Sequence, residues 1–116
     1  MTAHEVVRES STPAVLRWLR GRPELCHLGS SGRRPEAAAV RVLGRMAIRR
    51  VLVAAGMPAD LLPALAEIHI TSDPFGRPVV SLPARAVDWM RSDRLGLDLS
   101  LSHAGTRLLA VALAAS

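Results

Sequence analysis

Apolar residues recur at helical spacing through the first half of this chain and at strand spacing through much of the second. Ser11-Thr12-Pro13 puts a hydroxyl suited to capping before a proline suited to a first helical turn. Val15, Leu16 and Leu19 then predict a short helix to about Arg20. Gly21-Arg22-Pro23 stops it, a short turn over 24–28 follows, and Gly29-Ser30-Ser31-Gly32 predicts a surface loop. Between 36 and 55 there is no proline and a single glycine, and Val40, Leu43, Ala47, Val51 and Ala54 mark one face. This is the dominant helix, with Pro35 in its first turn and Gly56 placed to end it. Another short turn is expected at Pro58-Ala59-Asp60-Leu61-Leu62.

The period then changes. Ile68 and Ile70, followed by Val79, Val80 and Leu82, flank Asp73-Pro74-Phe75-Gly76 in a hairpin-like pattern. After a short helix over 83–90, Leu97-Asp98-Leu99-Ser100-Leu101-Ser102 alternates strictly, with leucines to one face and polar residues to the other. The segment 107–114 is more uniformly apolar and is expected to be a strand buried on both faces.

A length of 116 residues gives one domain, 1–116, with one modest core. The 49% hydrophobic share and mean hydropathy of +0.22 exclude a disordered chain, and only 3% aromatic residues make the core aliphatic. All 15 basic residues are arginine, a bias typical of a GC-rich bacterial genome. The net charge of +5 favours an anionic partner: nucleic acid, a nucleotide cofactor or an acidic protein. No arginine-rich run or aromatic series accompanies that charge, so nucleic acid ranks last. Cys26 stands alone, which excludes an internal disulfide and fits a reducing cytoplasm. His4, Glu5, Arg8 and Glu9 near the start are unlike a signal peptide, and no apolar run reaches membrane-spanning length.

Four local patterns occur in order: Leu16-Arg17-Trp18-Leu19 with Glu24-Leu25-Cys26; Leu43-Gly44-Arg45-Met46-Ala47-Ile48-Arg49-Arg50; Asp73-Pro74-Phe75-Gly76-Arg77-Pro78-Val79-Val80; and Leu99-Ser100-Leu101-Ser102-His103 followed by Ala112. Together they resemble holo-acyl-carrier-protein synthase, the small 4'-phosphopantetheinyl transferase, over nearly the whole chain. The resemblance implies an α+β fold with a long central helix packed on an antiparallel sheet, assembled as a trimer with sites between subunits. It also implies coenzyme A or a phosphopantetheine moiety as ligand and an acyl carrier protein as partner.

That family's transfer reaction uses magnesium held by an N-terminal aspartate and a central-helix glutamate beside a lysine. Arg49-Arg50 fills the helix pair here, and a permanent cation neither ligates magnesium nor acts as a base. Glu5 is expected in place of the aspartate, facing Arg50 as a charged pair. A further family lysine falls at Ala54, and the glycine-rich turn shrinks to Gly56-Met57-Pro58. No metal site is therefore expected.

The candidate catalytic residues are His103, Glu5, Arg50 and His4, as acid–base groups and an oxyanion or phosphate clamp. Arg45, Arg49, Arg77, Pro78 and Ser102 are the candidate coenzyme-binding residues. Each has a plainer competing account: surface histidines, solvated arginines, a Glu5–Arg50 bridge without chemistry, and a turn at Gly76-Arg77-Pro78. Trp18 and Trp89 are expected to pack or to lie at a subunit interface rather than to serve as stacking platforms. The leading functional expectation is a repurposed member of the fold. It would act without metal on a carrier-tethered or coenzyme-A-like intermediate of polyketide-type metabolism, through acid–base dehydration or cyclisation. The alternatives are a divergent phosphopantetheinyl transferase and a non-catalytic carrier-protein-binding module.

Overall fold

The structure is a computed structural model and describes residues 2–30 and 34–116. Strand β1, Ala3–Ser11, runs directly into helix α1, Thr12–Arg20. Ser11 is the hinge: its Oγ accepts a hydrogen bond from the Ala14 N–H at 3.2 Å, which satisfies one of the free donors of the first turn. A 3-10 turn, Pro23–Ser30, follows. The rest of the loop expected from Gly29 to Gly32 lies outside the described residues.

Helix α2, Pro35–Ala54, is the axis of the molecule. It ends as expected at Gly56, whose φ of +92° suits glycine. The Met57 N–H bonds the Leu52 carbonyl and the Gly56 N–H bonds that of Val53, a Schellman closure with Met57 and Leu52 both buried. The buried face is wider than the expected stripe, because sheet, α1 and the 3-10 turn all pack on α2. Val42, Ile48 and Leu52 are fully covered, whereas Ala54, expected on that face, is exposed.

After two more single 3-10 turns, β2 (His69–Ser72) and β3 (Pro78–Ser81) form the predicted hairpin. Asp73 builds its turn. The Asp73 Oδ1 accepts from the Phe75 and Arg77 N–H groups, both at 2.8 Å, and Gly76 takes φ +83°. Helix α3, Ala84–Ser92, leads to β4, Gly96–Ala104, and β5, Arg107–Ala115. The main sheet is antiparallel in the order β1-β5-β4.

The α+β architecture is thus the one expected: a long helix across an antiparallel sheet. One detail differs. Strand β5 buries Leu108, Ala110, Ala112 and Ala114 under α2, but its other face is uncovered within the chain, with Leu113 38% exposed and Val7 of β1 52% exposed beside it. An apolar run was read as two-sided burial, but helices cover the sheet on one side only. Among the described residues no helix is long and apolar enough to cross a membrane.

Candidate functional site

Directly paired residues of an antiparallel sheet point to the same face, so the β1–β5 register sorts the N-terminal residues. His4, Val6, Arg8 and Ser10 pair with Ala114, Ala112, Ala110 and Leu108, the residues buried beneath α2. Glu5, Val7 and Glu9 pair with Leu113, Val111 and Leu109 on the opposite face. The expected pairing of Glu5 with Arg50 therefore does not form. The sheet lies between them, and no ion pair joins them.

Arg8, on the helix side of β1, takes the place expected of Glu5. Its guanidinium reaches the Met46 Sδ at 3.9 Å. From there a cleft of about 770 Å³ opens between β1, α1, the Glu24–Leu25 turn, α2 and the segment at Ala64 and Leu65. Arg8, Arg49 and Arg50 supply its positive charge, while Val15, Trp18, Leu25, Leu43 and Leu65 supply much of its apolar wall. On α2 the residues Leu43, Met46, Arg50 and Val53 line it at three- and four-residue steps, one stripe of the helix. The Arg49 Nε donates to the Pro63 carbonyl at 3.1 Å, which fixes its stem. Glu9 and Glu24 also border the cleft, yet neither forms an ion pair with the three arginines.

Three cations against two carboxylates leave the cleft with a net positive charge, and such an arrangement attracts anions. Trp18 is held from outside the cleft lining. Arg22 stacks 4.0 Å from its ring centroid and donates to its carbonyl at 2.9 Å.

The other predicted residues are dispersed. Arg45 is 5% exposed and does not line the cleft. Its Nε donates to the Ile68 carbonyl at 2.7 Å, so it ties α2 to the entry of β2, and its NH1 is buried without a partner. Burial, with the Arg41 charge adding to it, lowers its pKa from the ordinary arginine value. Arg77 is exposed at the hairpin turn, Pro78 lines a separate smaller cleft of about 280 Å³ against α3 and β4, and Ser102 is exposed on the uncovered sheet face.

His103 is exposed at the end of β4, paired with Leu108, while Glu5 is paired with Leu113. Five residues of β5, roughly 16 Å at about 3.3 Å per residue, and the thickness of the sheet separate the two. One chain does not bring the proposed acid and base together. His4 lies on the helix side of β1 but outside the cleft.

Solved structures decide what this scaffold is. The holo-acyl-carrier-protein synthase of Neisseria meningitidis superposes with a TM-score of 0.73 at 18% identity, over 97% of each chain. The Chronobacterium ammoniagenes synthase in complex with coenzyme A gives 0.71 at 24% identity, over 99% of this chain and 98% of that one. The chain has the holo-acyl-carrier-protein synthase fold. A Helicobacter pylori synthase bound to coenzyme A agrees, with a TM-score of 0.61 at 17% identity, over 97% of this chain and all of that one. No family model and no curated protein sequence matches the chain.

The magnesium implied by the synthase fold does not suit these residues. Magnesium takes hard oxygen donors in near-octahedral array. The helix pair where the resemblance places a magnesium-binding glutamate is Arg49-Arg50, and a guanidinium offers no oxygen donor.

Proposed function

We propose that this synthase-fold chain binds the phosphate-bearing end of coenzyme A, or of a phosphopantetheine tethered to an acyl carrier protein, with arginines where a metal would otherwise bridge ligand and protein. The observation that carries this reading is the convergence of Arg8, Arg49 and Arg50 on one cleft with no ion-paired carboxylate. Guanidinium groups bind phosphate oxygens directly through paired hydrogen bonds. Two of the structures similar to this chain are complexes with coenzyme A.

Chemistry on a carrier-tethered intermediate, dehydration or cyclisation in polyketide-type metabolism, remains the class of reaction proposed. Within one chain the carboxylates bordering the cleft are Glu9 and Glu24, not Glu5. Titration calorimetry with coenzyme A is expected to give the same affinity in excess EDTA as in excess magnesium. An apo-carrier protein incubated with both should gain no mass. Affinity that depends on magnesium, or a carrier that acquires phosphopantetheine, would restore the ordinary transferase reading.

Assembly as a trimer is part of the same proposal, and the uncovered apolar stripe of Leu109, Val111 and Leu113 on β5 with Val7 beside it supports it. Leu113→Glu places a third carboxylate on that face, between Glu5 and Asp98, without changing the side packed on α2. Light scattering on size-exclusion fractions is expected to show a trimer for the parent and a folded monomer for the variant. A parent that elutes as a monomer would remove this part of the proposal.

A further inference from the structure

Residues paired directly across β5 stand side by side, so the uncovered face of the main sheet is built in rows. Glu5, Leu113 and Asp98 form one row. Val7, Val111 and Ser100 form the next, then Glu9, Leu109 and Ser102, then Ser11, Arg107 and Ala104. The apolar side chains follow the central strand, and the two carboxylates of the first row stand on the flanking strands with Leu113 between them. Within one chain they lie roughly 10 Å apart, two strand spacings, and both are exposed. Arg107, the cation on this face, is farther along β5 from Leu113 by roughly 20 Å at about 3.3 Å per residue. His4 and His103 point to the other side of the sheet. Arg91 of α3 lines the smaller cleft together with Asp98, yet no ion pair joins the two.

Three copies that bury this stripe about a common axis bring different strands together at each boundary. Strand β5 is central and faces the axis, so β1 of one copy meets β4 of the next. Both are antiparallel to β5 and therefore parallel to each other. Rotation about an axis along the strands leaves every row at its own height. Glu5 of one copy then meets Asp98 of the next, Val7 meets Ser100, and Glu9 meets Ser102. A valine beside a serine is neutral, and a serine hydroxyl donates to a carboxylate. The first pairing differs, because it sets two carboxylates against each other at all three boundaries.

We infer that assembly of this chain is controlled by pH through Glu5 and Asp98, weakening when both are ionised and strengthening when each facing pair shares a proton. This rests on the trimer reading above and adds its regulation. Two carboxylates brought together hold a proton that neither holds alone. The trimer then binds more protons than three separate chains, so association strengthens as pH falls and weakens as pH rises.

Light scattering across a dilution series at pH 5 and at pH 8 measures this control. The concentration at which half the chains are assembled is expected to be at least about tenfold lower at pH 5, since one logarithmic unit of proton affinity is a factor of ten. Glu5→Gln with Asp98→Asn should remove the difference and give the tighter assembly already at pH 8, where acid stability of the fold plays no part. Asparagine keeps the oxygen that accepts the Leu99 N–H at 3.0 Å, so β4 is not disturbed locally. Glu9→Gln removes a charge from the same face and should leave the pH difference in place. A parent that assembles equally at both pH values, a double variant that keeps the difference, or a Glu9→Gln variant that loses it overturns the pH control while the trimer stands. Monomers at both pH values, in the parent and in the double variant, overturn the trimer reading and the control with it.

Discussion

Replacing Arg49 and Arg50 together by glutamine is expected to weaken coenzyme A binding by on the order of 100-fold, because each lost charge-assisted hydrogen bond costs about 1.5–3 kcal/mol. Both residues lie on the exposed side of α2 and line the cleft, and neither contributes to the buried core, so the fold should survive. Glutamine keeps the length of the side chain and some donor capacity while removing the charge. The comparison variant is Arg91→Gln with Arg94→Gln, which lowers the net charge equally at exposed positions on and after α3, away from the arginine cleft. Calorimetry should show little change for that pair. The parent's affinity should also fall more steeply with added salt than that of the Arg49/Arg50 variant, since screening acts on the charges that have been removed. If both double variants lose affinity alike, long-range charge rather than the cleft binds the ligand.

Much of this architecture can be read from the chain. The leucines of 97–101 alternate with polar residues and do face α2, as Leu99 shows by its burial; Ser11-Thr12-Pro13 caps α1; and Asp73 and Gly76 make the hairpin turn. The site is harder to read, and β1 shows why. Its two faces carry His4, Val6, Arg8 and Ser10 on one side and Ala3, Glu5, Val7 and Glu9 on the other. Each face has one valine and a mixture of polar groups, so alternation alone does not say which side meets the helix. The register with Ala110, Ala112 and Ala114 settles it in favour of Arg8. Glu5 was the natural choice only so long as the sheet was not known to separate it from Arg50.

Arg45 and Arg50 illustrate the same limit on α2. They stand five residues apart in one sequence of arginines, yet one is buried against the Ile68 carbonyl and the other lines an open cleft. Helical spacing gives their angular separation, but which angle faces the hairpin depends on where β2 packs. His103 was placed correctly at the end of its strand. Within one chain β5 holds it and Glu5 at opposite ends and on opposite faces of the sheet. Any acid–base step joining them would need a second chain.

Gly44→Val is expected to destabilise the fold by at least about 3 kcal/mol, near the upper end of what overpacking a closed core costs. A Cβ at this position would lie 2.9 Å from the Leu101 Cδ2, 3.0 Å from the Ile70 Cδ1 and 3.4 Å from the Leu99 Cδ2. Glycine thus lets α2 approach β4 and β2 at once. The helix gives up about 1 kcal/mol of propensity relative to alanine for that approach. Gly44→Ala sets this gain against a smaller clash, and its net loss should be about 0–2 kcal/mol. Valine adds two more methyls to the same crowded space and gains less from propensity. Urea unfolding followed by circular dichroism would measure both losses. Leu101→Ala alone should also destabilise, by less than the about 2–5 kcal/mol of a fully buried leucine, because Leu101 is only partly buried. Combined with Gly44→Ala it should cost less than the sum, since the new methyl fills part of the space that the leucine vacates. Strict additivity would mean that α2 and the sheet are not held apart at this contact.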